Sequence, residues 1–161
     1  MTKLRVFGVT GWKNAGKTTL VERLVAEFVR RGWRVSTVKH AHHDADVDQP
    51  GRDSFRHRTA GATEVALVGG RRYAIMREQP EPALSEVLAR LAPADLILIE
   101  GYKREAHPKI EVRAGAGEPM AAGDSNIVAI AADERPSDTS LPWFRRDDIA
   151  TIADFIAGRP I

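Results

Sequence analysis

The sequence predicts an α/β protein in three layers, with a mostly parallel central sheet, helices on both faces and a β-hairpin extension. Short apolar runs typical of strands alternate with segments in which apolar residues recur at helical spacing. Residues 96–99 form an unbroken aliphatic run, as expected for a central parallel strand covered on both faces. Residues 11–18, between the first predicted strand and the first predicted helix, match the phosphate-binding pattern G-x-x-x-x-G-K-S/T.

The amino-terminal segment predicts a strand, a helix and a second strand. Residues 4–10 are rich in β-branched and aromatic side chains, which favour a buried strand. The helix is expected to end near Gly32, because glycine is preferred just beyond a helix C-terminus. Its apolar face consists of Leu20, Val21, Leu24, Val25 and Phe28. Residues 34–39 predict the second strand, and the crossover to it should be right-handed.

The middle of the chain predicts a long loop, a short helix and a hairpin. Residues 40–52 are polar, and a loop of this length is often functional. Residues 53–60 predict the helix. Residues 64–68 and 71–76 predict two strands, and the glycine pair between them favours a tight turn.

The rest of the chain predicts two helices and three strands. The strands cover residues 96–99, 109–113 and 126–131. Pro82 opens a helix before the first of them, and residues 114–125 are expected to form a loop. Asp147 or Asp148 is placed to cap the amino end of a last amphipathic helix.

Composition restricts the class of protein. With 161 residues, of which 43% are hydrophobic, residues 1–161 are expected to form a single domain with a core. The absence of cysteine excludes disulfides and thiolate metal sites. The 24 basic and 22 acidic side chains are too balanced to indicate nucleic acid binding. No leader or membrane-length apolar run is present, so we expect a cytoplasmic protein that does not bind membranes.

The phosphate-binding pattern assigns a task to each required residue. Gly11 and Gly16 allow the backbone to direct its amides inward, towards phosphate oxygens. Lys17 is expected to neutralise the terminal phosphates as a catalytic residue, and the hydroxyl of Thr18 to bind Mg²⁺. The predicted nucleotide-binding set is Gly11, Lys13, Asn14, Ala15, Gly16, Lys17, Thr18 and Thr19.

A second acidic group is expected near the metal. Asp95 begins the aliphatic run and Glu100 follows it, which places them about 16 Å apart at opposite edges of the sheet. Ligands of such sheets gather at the carboxyl ends of the strands. Glu100 is therefore the predicted metal-binding and catalytic acid, orienting metal-bound or attacking water.

The polar loop contains His40, His42 and His43, followed by three aspartates. Imidazole and carboxylate together suit Zn²⁺ or Ni²⁺, so this loop could hold a transition metal. The same groups suit a loop that senses phosphate or binds a substrate, or one that is simply solvated. The spacing does not decide between these alternatives.

Several segments together resemble one family. The resemblance rests on residues 11–19, on Thr37-Val38-Lys39-His40-Ala41-His42-His43, on Asp48-Gln49-Pro50-Gly51-Arg52-Asp53-Ser54, on residues 58–62, on Glu100-Gly101-Tyr102-Lys103 and on residues 108–112. These segments are similar to MobB, the adaptor family of molybdopterin-guanine dinucleotide biosynthesis. Arg52 and Tyr102 stand where lysine and phenylalanine are usual in that family.

The resemblance implies a P-loop GTPase-like fold and a particular role. It implies a homodimer that binds GTP and Mg²⁺, hydrolyses GTP weakly at most, and assists the guanylyltransferase MobA and delivery to molybdoenzymes. Molybdopterin is a further candidate ligand. The implied substrate or switch loop comprises His40, His42, His43, Asp48, Gly51, Arg52, Asp53 and Ser54, together with Lys103.

Guanine selectivity needs a separate hypothesis, because the N-K-x-D base-reading motif is absent from the chain. Asp133 follows the strand predicted over 126–131, and its carboxylate could accept two hydrogen bonds from the guanine edge.

Two other functions stay open at this point. A small-molecule kinase would use Asp46, Asp48 or Asp53 as general base. A metal-delivery GTPase would use the histidines as ligands. The leading hypothesis is the GTP-binding adaptor.

Overall fold

The computed structural model describes residues 4–41, 45–115 and 117–160. The elements in chain order are β1 (Arg5–Thr10), α1 (Lys17–Arg30), β2 (Val35–Lys39), α2 (Asp53–Thr59), β3 (Glu64–Val68), β4 (Tyr73–Arg77), α3 (Leu84–Arg90), β5 (Leu96–Glu100), β6 (Lys109–Val112), β7 (Ile127–Ala132), β8 (Trp143–Arg145) and α4 (Ile149–Gly158).

The chain divides into two compact units. One contains the described residues of Met1–His40 and Leu91–Ile161, and the other contains those of Ala41–Arg90. The first unit holds a six-stranded sheet with α1 and α4, and the second holds a two-stranded sheet with α2 and α3. The single domain over residues 1–161 stays a prediction.

The large sheet is parallel throughout and has the strand order β2-β5-β1-β6-β7-β8. Strand β5 pairs with both β2 and β1, and all five of its residues are buried. This confirms the central strand predicted from the aliphatic run. In the register Lys39 lies opposite Glu100, and Glu100 lies opposite Val9. The carboxyl ends of β2, β5 and β1 therefore meet at one edge.

The main core lies between the sheet and the helices α1 and α4. Phe28 of α1 and Ile152 of α4 are fully buried against Phe7 and Leu98 of the sheet. The predicted cap of the last helix is confirmed at Asp148, whose carboxylate accepts a hydrogen bond from the Thr151 amide at 3.3 Å. Packing of α1 and α4 on the sheet thus fixes the position of α1, which begins after the loop of residues 11–16.

The sequence analysis missed strand β8. It is three residues long and pairs with the edge of the sheet, with Phe144 opposite Ala131. So short a segment has no detectable period, and its pairing with β7 is a tertiary contact that no local pattern predicts. The strand matters because Arg146 follows it directly.

The predicted hairpin is confirmed in the second unit, where β3 and β4 are antiparallel and Val68 lies opposite Tyr73. Strand β4 begins at Tyr73 rather than at residue 71, because the turn extends further. The amide of Gly69 donates to the carbonyl of Arg72 at 2.9 Å, which places Arg71 and Arg72 in the turn.

A buried ion pair fixes the connection between β6 and β7. Lys109 is 0% exposed, and its Nζ donates to Asp124 Oδ2 at 2.9 Å and to the carbonyl of Glu105 at 2.6 Å. Asp124 Oδ1 also accepts from the amide of Asn126 at 2.9 Å. Because a buried ammonium must be paired, this cluster ties the loop before β7 to the strand beside it.

His107 lies against β1. A Cβ at Gly8 would come within 2.5 Å of His107 Nε2, so the imidazole occupies the space of the missing side chain. Among the described residues, neither ring nitrogen has a hydrogen-bond partner. Burial, helped by the charge of Lys109 and opposed by that of Asp124, lowers the pKa of His107 from 6.5 to about 4.

This shift predicts an acid sensitivity. Below a pH of about 6.5 the unfolded chain binds a proton at His107, whereas the folded chain binds it only near the folded pKa of about 4. Stability should therefore fall as pH decreases through that interval. The variant His107→Leu should show a flatter dependence of unfolding free energy on pH in urea titrations. An unchanged slope in His107→Leu would contradict the prediction.

Candidate functional site

The loop between β1 and α1 has a backbone that requires glycine. Gly11 and Gly16 have φ of 148° and 99°, and Asn14 has φ of 62°. A Cβ at Gly11 would lie 2.5 Å from the carbonyl oxygen of Val112. The loop therefore fits against β6 only with glycine at this position.

Helix α1 begins at Lys17, directly after Gly16, and among the described residues no side chain caps its first turn. Its first amides and the positive end of its dipole are thus available to an anion. Lys17 extends back over the loop, where its Nζ donates to the carbonyl of Trp12 at 2.7 Å. The result is a concave, positively polarised loop at the end of β1.

Glu100 and Thr18 meet beside this loop. The hydroxyl of Thr18 donates to Glu100 Oε1 at 2.8 Å, and Glu100 is only 8% exposed. Asp95 is instead at the opposite end of β5, paired with Arg34 at 3.1 Å. The structure thus places Glu100 at the loop and Asp95 away from it.

A tight turn follows β5 and contacts the end of β2. Gly101 has φ of 92°, and a Cβ there would lie 3.2 Å from the Cβ of His40. The ring of His40 stacks on that of Tyr102, with centroids 4.4 Å apart. The next residue, Lys103, places its Nζ 4.8 Å from the centre of the Trp12 ring. His40 and Lys103 are therefore both close to the loop edge of the sheet.

Three ammonium groups act on the same region. Lys39 Nζ lies 3.5 Å from Glu100 Oε1. The pKa of Lys17 is lowered, first by burial and then by the charges of Lys103 and Lys39, while Glu100 opposes the shift. Lys39 and Lys103 thus both act on Lys17, and Lys39 also contacts Glu100.

Asp133 lies on the other side of the loop, after β7. Arg146 pairs with both of its oxygens, at 2.8 and 2.5 Å, and also donates to the carbonyl of Ala15 at 3.2 Å. This bidentate bond lowers the pKa of Asp133, so the carboxylate stays charged. A cavity of about 260 Å³ adjoins the pair, lined by Gly16, Thr19, Leu20, Arg23, Asp133 and Arg146 among others.

The sequence analysis did not assign Lys39 or Arg146 to the site. The sequence could have identified Lys39, because this residue ends a predicted parallel strand and the carboxyl ends of such strands share one edge of the sheet. No sequence pattern identifies Arg146, because its position depends on the short strand β8. Both residues contact predicted site residues directly, Lys39 at Glu100 and Arg146 at Asp133.

The other predicted loop residues belong to the second unit. Asp48 Oδ1 accepts from the hydroxyl of Ser54 at 2.8 Å, which ties the loop to the start of α2. Gly51 has φ of 84°, and Arg52 and Asp53 form the amino end of the helix. Their roles as substrate or switch residues stay predictions.

The transition-metal hypothesis also stays open, because His42 and His43 lie outside the described residues. Among the residues that are described, no group of three or more histidine or acidic side chains could hold a metal ion. Within the same ranges, no helix is long and apolar enough to cross a bilayer.

Comparison with known proteins now identifies the family. Residues 6–133 match the family model of molybdopterin guanine dinucleotide synthesis protein B, MobB. The molybdopterin-guanine dinucleotide biosynthesis adapter protein of Haemophilus influenzae is 38% identical over 158 residues, which is 96% of this chain and 88% of that protein. Its Escherichia coli counterpart is 35% identical over 164 residues, covering 96% of this chain and 93% of the relative.

Solved structures agree in fold. The crystal structure of a MobB homolog from Bacillus stearothermophilus is 34% identical and matches with a TM-score of 0.73, covering 96% of this chain and 99% of that one. That of Bacillus subtilis MobB is 26% identical and matches with a TM-score of 0.78, covering 95% and 96%. The predicted α/β, P-loop NTPase-like fold is thereby confirmed. The chain belongs to the MobB family, the adapter proteins of molybdopterin-guanine dinucleotide biosynthesis.

Proposed function

We propose that this chain is a GTP-binding adapter that holds Mg·GTP at the loop of residues 11–19 and assists the guanylyltransferase of its pathway. The observation that carries the proposal is the combination of the loop geometry with Lys17 and the Thr18–Glu100 contact of 2.8 Å. Anion donors, an ammonium and a metal-binding pair of oxygens converge there. No other described region of the chain combines these groups.

The phosphates would lie in the loop. The amides of residues 13–19 and the amino end of α1 would donate to phosphate oxygens. Lys17 would exchange its bond to the Trp12 carbonyl for bonds to the terminal phosphates, where its charge opposes that of the phosphoryl groups. The loop is thus prepared for an anion before one binds.

The residues present fit Mg²⁺. Mg²⁺ prefers oxygen ligands and is usually held by one or two carboxylates together with phosphates and water. The Thr18 hydroxyl and the Glu100 carboxylate supply such oxygens side by side at the loop. When bound, the ion would neutralise phosphate charge. Glu100 would also orient a water, and we expect at most slow GTP hydrolysis.

The guanine base would enter the cavity at Asp133. Guanine has two adjacent donor groups, N1–H and the 2-amino group, which a carboxylate can accept together, whereas adenine lacks this pair. The cavity lies next to Thr19, beside the start of α1 and therefore next to the phosphate loop. Arg146 keeps the carboxylate charged for this role.

The variant Asp133→Ala should reduce the preference for GTP over ATP by about tenfold, because charged hydrogen bonds contribute roughly 1.5–3 kcal/mol. Both nucleotides should still bind through their phosphates. Calorimetric titration of each nucleotide measures the ratio of dissociation constants. Asp138→Ala is the control, since Asp138 is also paired with an arginine, Arg113, but lies outside this cavity. An unchanged ratio in Asp133→Ala would exclude Asp133 as the base-reading residue.

The family role suggests the partners. We propose a cytoplasmic homodimer that associates with a MobA-like guanylyltransferase and molybdoenzyme clients, with molybdopterin as a second ligand of the loop between His40 and Ser54. In the described chain neither β3 nor β4 pairs with a further strand. Leu67, Val68, Tyr73 and Ile75 are more than half exposed there. A second copy could cover these side chains and strand edges.

One set of measurements tests the proposal. Calorimetric titrations with GTP, ATP and molybdopterin in Mg²⁺ should show GTP binding and a preference over ATP. Sedimentation should give twice the mass of the 17.7 kDa chain, and a larger species with the guanylyltransferase. Failure to bind GTP would overturn the proposal. Rapid phosphorylation of a small acceptor would instead indicate the kinase, and a stoichiometric transition metal would indicate metal delivery.

A further inference from the structure

The phosphate loop uses one lysine, Lys17, yet two further lysines, Lys39 and Lys103, lie close enough to act on its charge. Lys17 begins α1, Lys39 ends β2 and Lys103 lies in the turn after β5. Lys39 and Lys103 lie close enough to Lys17 for their charges to lower its pKa. Glu100 acts on Lys17 and lies 3.5 Å from the ammonium of Lys39. The region therefore has a surplus of positive charge that Lys17 and the loop amides do not explain.

The ammonium of Lys103 lies on the indole ring of Trp12, which we call the platform. Its ammonium lies over the Trp12 ring at 4.8 Å, and the Trp12 indole donates to the carbonyl of Glu118 at 2.7 Å. A Cβ at Gly117 would lie 2.4 Å from Trp12 Cδ1, so the indole is in close contact with the backbone at Gly117. Because the carbonyl of the same tryptophan accepts from Lys17, the platform connects the two lysines.

Lys39 is held from the opposite side. It is the last residue of β2, in register with Glu100, and its Nζ is 3.5 Å from the carboxylate that Thr18 also contacts. Its side chain is 63% exposed, so it can reach a ligand without breaking a buried contact. Lys39 thus contacts Glu100 from the end of β2, whereas Lys103 lies over Trp12 from the turn after β5.

The strand order shows on which side of the phosphate loop each of these groups lies. The loop leaves β1, the cavity at Asp133 lies beyond β6 at the end of β7, and Lys39 and Lys103 lie on the β2 and β5 side. A nucleotide with its base at Asp133 would cross the loop and point its phosphate chain towards Glu100. The last phosphate would arrive between Lys39 and Lys103.

We propose that Lys39 and Lys103 form a second cationic subsite that binds the terminal phosphate of a nucleoside triphosphate, so that the site distinguishes triphosphate from diphosphate. The proposal rests on the proposed function, because it requires nucleotide at the loop. A triphosphate has one more phosphoryl group and more negative charge than a diphosphate, and only that last group reaches both lysines. The loop amides bind the preceding phosphates of either ligand, and Lys17 contacts the end of either phosphate chain.

The test compares the affinities of GDP and a non-hydrolysable GTP analogue, in Mg²⁺ at one ionic strength, for wild type, Lys39→Ala, Lys103→Ala and the double variant. Each single substitution should weaken the triphosphate about tenfold and the diphosphate less than twofold. The double variant should bind both with similar affinity. The matched control is Arg104→Ala, which removes an exposed positive charge one residue from Lys103 and should weaken both ligands slightly and equally.

The outcomes separate this inference from the proposed function. Equal losses for GDP and the triphosphate analogue in the lysine variants would overturn the subsite, as would an Arg104→Ala effect equal to that of Lys103→Ala. If Lys17→Ala abolished binding while these variants kept the wild-type ratio, GTP binding would stand and the subsite would fail. If the wild type bound neither ligand, both would fail. Thermal unfolding of each variant verifies that the fold is retained.

Discussion

Replacing Lys17 by alanine is expected to weaken Mg·GTP binding by about 100-fold while leaving the fold intact. The ammonium of Lys17 already extends back over the loop, at 2.7 Å from the Trp12 carbonyl. Its bonds to phosphate would be charged on both sides, and a loss of about 2.7 kcal/mol corresponds to the 100-fold change. The side chain is half-buried at a helix start, so its removal should cost little stability.

Calorimetry with GTP and Mg²⁺ measures this effect, with thermal unfolding as the test of folding. Lys17→Arg is the informative companion variant, because it keeps the charge but presents a planar fork instead of a compact ammonium. We expect it to recover part of the affinity only. A GTP dissociation constant within twofold of wild type in Lys17→Ala would contradict the assignment of the phosphate loop.

The second large effect concerns stability. Asp124→Ala leaves the ammonium of Lys109, which is 0% exposed, with the Glu105 carbonyl as its remaining hydrogen-bond partner among the described residues, and it removes the acceptor of the Asn126 amide. Breaking a buried ion pair from one side costs roughly 3–5 kcal/mol. We therefore expect a loss of about 3 kcal/mol, measured by urea unfolding. This is a large part of the stability of an ordinary domain.

Asp154→Ala is the matched control, because its carboxylate also pairs with a cation, Arg31, but its side chain is 70% exposed. An exposed pair contributes at most about 1 kcal/mol, so this variant should differ little from wild type. Adding Lys109→Met to Asp124→Ala should recover part of the loss, since the unpaired charge is then gone. Equal losses of unfolding free energy in Asp124→Ala and Asp154→Ala would show that the buried ion pair contributes no more to stability than the exposed one.

Local features of the sequence predicted much of the fold. Residues 11–18 carry the phosphate-binding pattern, and the strand and helix beside it follow from side-chain periodicity over a few residues. The turn at Gly69 and the cap at Asp148 likewise depend on neighbours within four residues. Such features can be predicted from the sequence because the interactions that cause them join residues close together in the chain.

The candidate site was only partly predictable. The position of Glu100 beside Thr18 followed from one rule, that ligands gather at the carboxyl ends of parallel strands. The contact of Lys39 with Glu100 needed the strand order, which places β5 between β2 and β1. The burial of Lys109 beside Asp124 had no local signal, since a charged residue beginning a strand is usually exposed.

The sequence by itself determined the phosphate loop, the α/β class and most elements, because each depends on the conformational preferences of adjacent residues. Only the tertiary structure decided which charges meet: Lys39 at Glu100, and Arg146 at both Asp133 and the Ala15 carbonyl. Arg146 lies 131 positions from Ala15 in the chain. Contacts at such separation arise from strand order and packing, and no local pattern specifies them.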